Sequence, residues 1–126
     1  MAGLKLDGAG QAKMATLDSA IAQIQQLNTV VERMAMNVRN GQPASQLGPQ
    51  LRRVGTPLIG LLKGQYGMIS DQVAAMLLAA TRGNNDQMRV RSLREGVAQV
   101  KTALEIAING VKAKHAVVDD HDEPAE

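Results

Sequence analysis

The stretch Pro49–Arg82, PQLRRVGTPLIGLLKGQYGMISDQVAAMLLAATR, decides the fold. Within it Leu51, Val54, Leu58, Leu62, Tyr66, Ile69, Val73, Met76 and Ala80 recur at steps of three and four, the period of an amphipathic helix rather than of a strand. As one helix it would run roughly 50 Å at 1.5 Å per residue, and a helix that long holds in water only when other elements cover its apolar face. Gly60, Gly64 and Gly67 lie two positions out of register with Leu62, Tyr66 and Ile69, so a continuous helix would carry them on a narrow stripe nearly opposite the seam. Each interior glycine costs on the order of 1 kcal/mol relative to alanine, a cost that close approach of a second backbone offsets. The expected interaction face is therefore Gly60, Gly64 and Gly67, together with Tyr66 and Met68. Pro57 has no backbone donor and crowds the turn before it, which predicts a kink near Arg53–Thr56 or a helix that starts at Thr56.

Helical patterning continues on both sides. Upstream, Met14, Leu17, Ile21, Ile24, Asn28, Val31, Ala35 and Val38 form a seam, widened by Ala20, Leu27 and Met34 to the breadth of a bundle helix. Its alternating steps are those of a coiled coil, and Asn28 is expected at the watery edge of the stripe. Asn40 and Gly41 supply a left-handed ending, and Pro43 prevents continuation. Downstream, Asn84 or Asn85 caps a third helix with Asp86 in its first turn, and Met88, Val90, Leu93, Val97, Val100, Leu104, Ala107 and Val111 make its seam. Gly96, beside that seam, suits a close helix crossing.

The chain has the length of one domain, 126 residues. It has no Trp, no Phe and one Tyr, which disfavours a sheet and leaves an all-α class. The expected architecture is an elongated three-helix bundle, or a helical hairpin plus an amino-terminal helix. Its helices span about 11–40, 50–82 and 86–117 of one domain, 11–118. Residues 1–10 are expected to be a flexible segment and 119–126 a disordered acidic tail. Elongated helices without large aromatic core residues bury a poor fraction of their surface alone, so assembly into an oligomeric bundle is expected.

Lysine and arginine number 14 and aspartate and glutamate 12, but Asp119, Asp120, Asp122, Glu123 and Glu126 all lie in the tail, leaving a strongly basic body. The basic patch comprises Arg39, Arg52, Arg53, Arg82, Arg89, Arg91 and Arg94. In a three-helix bundle Arg39, Arg52 and Arg53 approach one end with Lys112 and Lys114, and Arg82, Arg89, Arg91 and Arg94 approach the other. Such ends attract an acidic protein partner or, as the less favoured alternative, nucleic-acid phosphate, for which the chain lacks an aromatic stacking series.

The chemistry on offer is sparse. Without cysteine there is no disulfide, thiolate metal site or cysteine nucleophile. His115 and His121 sit in or beside the acidic tail, and no Ser-His-Asp or Glu-x-x-His constellation accompanies them. Adjacent Asp119, Asp120, His121 and Asp122 make a poor metal site, which needs converging ligands in fixed geometry. The GQYG of Gly64–Gly67 has no preceding strand and no lysine followed by a hydroxyl residue, so it is not a phosphate loop. No catalytic residues, metal or cofactor are expected. No apolar run approaches the ~18 residues that cross a bilayer, and the start of the chain is unlike a signal peptide, so the expected location is cytoplasmic. The expected role is that of a non-enzymatic structural or adaptor protein making homo-oligomeric and protein–protein contacts.

Overall fold

The computed structural model describes residues 4–82 and 85–118. It is all-α: helices α1 (Gly8–Arg39), α2 (Gly48–Leu62), α3 (Gly67–Thr81) and α4 (Asp86–His115), with strands β1 (Leu4–Leu6) and β2 (Ala116–Val118). Each helix packs on its neighbours in sequence, and α1 against α4 closes the ring, giving an up-down-up-down bundle. At 1.5 Å per residue, α1 and α4 run about 45–48 Å, whereas α2 and α3 reach only about 22 Å. The short hairpin therefore covers half of the long pair, the half that holds the end of α1 and the start of α4.

Here the sequence expectation is corrected, because the region 50–82 is two antiparallel helices and the bundle has four helices instead of three. The break falls at Lys63–Tyr66. Pro57, where a kink or a start was expected, sits inside α2. An interior proline costs ~3 kcal/mol or more, and α2 offsets that by burying Leu51, Leu58 and Leu62. The turn instead uses the glycine-flanked segment Gly64–Gly67, where local helix propensity is poorest. Two orphan carbonyls at the end of α2 find donors across it: Tyr66 N–H donates to Leu62 O at 2.8 Å, and the Ser70 hydroxyl to Ile59 O at 3.1 Å. Ser70 is 3% exposed, and this bond is what makes its burial tolerable.

The core comes from one stripe of each helix: Leu17, Ala20, Ile24, Leu27, Val31 and Met34 of α1, Leu58 and Leu62 of α2, Val73 and Met76 of α3, and Leu93, Val97, Val100 and Leu104 of α4. Asn28 is exposed, beside that stripe. Helix α1 ends at Asn40 with Gly41 at φ +80°, and Gln42 N–H returns to Asn37 O at 2.7 Å. Asn85 caps α4, accepting from Gln87 N–H and Met88 N–H.

Where residues 1–10 were expected as a flexible segment, residues 4–10 form β1, the Asp7 cap and the first turn of α1; residues 1–3 lie outside the described residues. Leu4–Leu6 pairs antiparallel with Ala116–Val118, Lys5 opposite Val117, so β2 occupies what was expected as the last turn of the third helix. The β-branched Val117 and Val118 suit the paired strand β2. Asp7 then caps α1, its Oδ1 accepting from Gly10 N–H at 2.6 Å, and Asp7 N–H donates to His115 O at 3.0 Å. The tail 119–126 lies outside the described residues.

Helices touch closely at Gly96, where the sequence suited a close crossing, and at Gly10, rather than at Gly60, Gly64 and Gly67. A Cβ on Gly10 would stand 2.5 Å from His115 Cβ, and one on Gly96 would stand 2.7 Å from Met76 Cγ and Sδ. A Cβ on Gly60 would meet nothing within 4 Å outside the backbone of its own helix. Opposite signs follow: Gly60→Ala should raise stability by roughly 0.5–1 kcal/mol by restoring helix propensity. Gly10→Ala should lower it by roughly 1–3 kcal/mol by forcing α1 from α4. Urea midpoints of the two variants against the parent chain check this.

Candidate functional site

Three places gather candidate side chains: the arginine-bearing half of the bundle, the outer face of α3, and the joint between the two ends of the described chain. The arginines come first. Contrary to the expectation of two basic ends, the up-down-up-down path brings all of them to one half: Arg33 and Arg39 on late α1, Arg52 and Arg53 on early α2, Arg82 just after α3, and Arg89, Arg91 and Arg94 on early α4. A three-helix reading sends residue 82 away from residue 39, whereas the reversal at Lys63–Tyr66 brings it back. Lysines occupy the rest, with Lys5 on β1, Lys13 on early α1, Lys63 at the turn, and Lys101, Lys112 and Lys114 on late α4.

Eight arginines there share that half with Glu32, Asp71, Asp86 and Glu95. Arg94 grips Glu32 with two parallel bonds, 2.9 and 2.7 Å, tying α4 to α1. That contact holds the Glu32 carboxyl below its ordinary value. Both side chains are about half exposed, so the pair fixes register more than it adds stability. Arg89 Nη1 donates to Asp86 Oδ1 at 3.0 Å and its Nε to Arg82 O at 3.3 Å. The other Asp86 oxygen accepts from Ala44 N–H at 3.1 Å, which pins the connection after α1 to the start of α4.

The expected glycine face is divided. Gly60 lies in α2, Gly64 in the turn and Gly67 at the start of α3, so the three do not form one helical stripe. All three are exposed, with no atom within 4 Å of a Cβ placed on them. Tyr66, expected mid-helix, caps α3; it packs half-buried against the core, and burial pushes its phenol above its ordinary value. Met68 is 82% exposed.

Sequence reasoning missed the outer face of α3. Leu78 is 51% exposed and Met88, expected in the α4 seam, is 57% exposed. Between them runs a groove of about 510 Å³ lined by Ala75, Leu78, Ala79, Met88 and Ser92, with Arg82 and Arg89 at its rim. A signal was present: Ala74–Ala80, AAMLLAA, is apolar at every position, more than a one-faced helix needs.

At the far end His115 joins residues about a hundred positions away. Its Nδ1 lies 3.1 Å from Asp7 Oδ1, and its Nε2 is 3.1 Å from Lys13 Nζ. Lysine has only donors, so Nε2 accepts and Nδ1–H donates to Asp7: both ring nitrogens are engaged in a clasp between α1 and α4. Among the described residues no group of three His, Cys, Asp or Glu side chains converges as for a metal ion, and no helix is long and apolar enough to cross a membrane. The tail carboxylates and His121 lie outside the described residues. No family model, curated protein or solved structure matches this chain.

The Gly10 amide bond, and then the His115 ring, hold the Asp7 carboxyl below its ordinary value. A depressed carboxylate contributes stability above its unfolded-state value and loses it as pH falls through the folded one. Asp7→Asn should therefore be less stable than the parent near neutrality, with the difference shrinking as pH drops below about 4. Thermal melts of both proteins from pH 7 to pH 2.5 check this.

Proposed function

We propose that this chain is a non-catalytic helical protein that works by protein–protein contact, in the first instance with a second copy of itself. The observation that carries the reading is the apolar outer face of α3, where Leu78 and Met88 flank a groove with alanines for a floor. Exposed apolar surface rimmed by polar groups is characteristic of interaction sites, and small residues let a second helix come near. Gly60 on α2, and Gly64, Gly67 and Met68 at the turn and the start of α3, are exposed as well. Two copies pairing α3 faces about a two-fold axis would bury Leu78 and Met88 of both chains while keeping Arg82 at the wet rim. An adaptor role follows if the same groove takes a helix of another protein.

Sedimentation equilibrium should report twice the 13.4 kDa chain mass. Leu78→Glu with Met88→Glu should restore the single-chain mass at unchanged helicity, since both side chains are half exposed or more. A parent chain monomeric across micromolar to millimolar concentration contradicts the reading.

A second reading, association with a nucleic-acid backbone, has one observation in its favour: the arginines share a single half of the molecule, and guanidinium suits phosphate. Binding of duplex DNA or RNA should then weaken steeply and linearly on a log–log plot as salt rises, and Arg82→Gln with Arg91→Gln should flatten that slope. No affinity at low salt removes it.

A further inference from the structure

A second concavity, separate from the α3 groove, lies where the start of α2, the end of α3 and the start of α4 meet. It encloses about 230 Å³. Its floor is apolar: Met34, Ala44 and Leu51 are buried, and Leu77 and Ala80 half-buried. Its rim carries Ser45, Thr81, Arg52 and Arg89.

The rim groups differ in what they have left to give. Arg89 is committed to Asp86 and to Arg82 O, and Asp86 holds Ala44 N–H with its other oxygen. Thr81 Oγ1 donates to Leu78 O at 2.8 Å. Arg52 and Ser45, by contrast, have no side-chain hydrogen bond or ion pair among the described residues, and no carboxylate lines the cavity. Arg52 leans over the first turn of α2, its Nη1 3.8 Å from a Cβ placed on Gly48. With Asp86 answering Arg89, one positive charge stands uncompensated above an apolar floor.

We propose that this cavity binds a small organic monoanion, an aliphatic carboxylate of about six carbons in all, the volume being below the ~300 Å³ and upward of sites for drug-sized ligands. The carboxylate accepts two parallel N–H bonds from the Arg52 guanidinium and one from the Ser45 hydroxyl, the strongest geometry open to that pair of ions. The tail displaces water from Met34, Leu51 and Leu77. A phosphate dianion fits less well, because the site holds a single unanswered charge, and an alcohol of equal length leaves Arg52 unpaired.

The test is a titration of the full ¹⁵N-labelled chain with sodium hexanoate, followed by amide shifts, beside 1-hexanol and the Arg52→Gln variant. Hexanoate should shift amides of residues 44–52 and 77–81 saturably, and both 1-hexanol against the parent and hexanoate against Arg52→Gln should bind at least about tenfold more weakly. Arg52 is exposed, so Arg52→Gln should keep the parent spectrum elsewhere. Equal affinity of hexanoate for parent and variant, or no shifts up to tens of millimolar, overturns the proposal. So do shifts centred on Ala75, Leu78 and Met88, which would place binding in the α3 groove and leave the dimer reading to its own test.

Discussion

A helix carried unbroken from Gly48 to Thr81 would run about 50 Å, the length of α1 and α4, and the bundle would have three helices. Reversal at Lys63–Tyr66 instead lays α3 against α2, so that Leu58, Leu62, Val73 and Met76 share one core with the long pair. The reversal is local chemistry with a long reach. Glycines on both sides of Tyr66 make helix continuation poor, and the carbonyls freed at the end of α2 are taken up by Tyr66 N–H and the Ser70 hydroxyl. Because of it, Arg52 and Thr81 end beside one another and the cavity between them exists at all.

The remaining contacts act as clamps on this arrangement. At one end β1 pairs with β2 and His115 clasps Asp7 and Lys13; further along, Glu32 takes Arg94. These fix the long helices in register, and the close crossings at Gly10 and Gly96 show how little slack the packing leaves. The hairpin, held along half of their length, places every arginine on one side of the molecule's midpoint and the outer face of α3 in water. Charge segregation and an uncovered apolar face thus share a single cause in the chain path.

What the sequence disclosed was what repeats locally. Steps of three and four in Leu17–Met34, Leu51–Met76 and Val90–Val111 mark the buried stripes, and Asn40–Gly41 and Asn85 mark helix limits. What it hid was decided by tertiary contact. Pro57 is a strong local breaker, yet burial of Leu51, Leu58 and Leu62 outweighs it, while Gly64, read as a contact point, is where the chain turns. Leu4–Leu6 is too short to show a strand period, and its partner is more than a hundred residues away. Glu32 has no basic residue four positions away and finds Arg94 across the bundle. The basic residues were legible by identity, whereas their gathering depended on the number of times the chain reverses.

The reversal can be measured as one distance. The chain has no cysteine, so Arg52→Cys with Thr81→Cys offers two unique labelling sites for spin-label distance measurement. The structure requires a short separation, below about 20 Å between labels, since both residues line one cavity. A distance near 44 Å, that of twenty-nine residues of continuous helix, would contradict it.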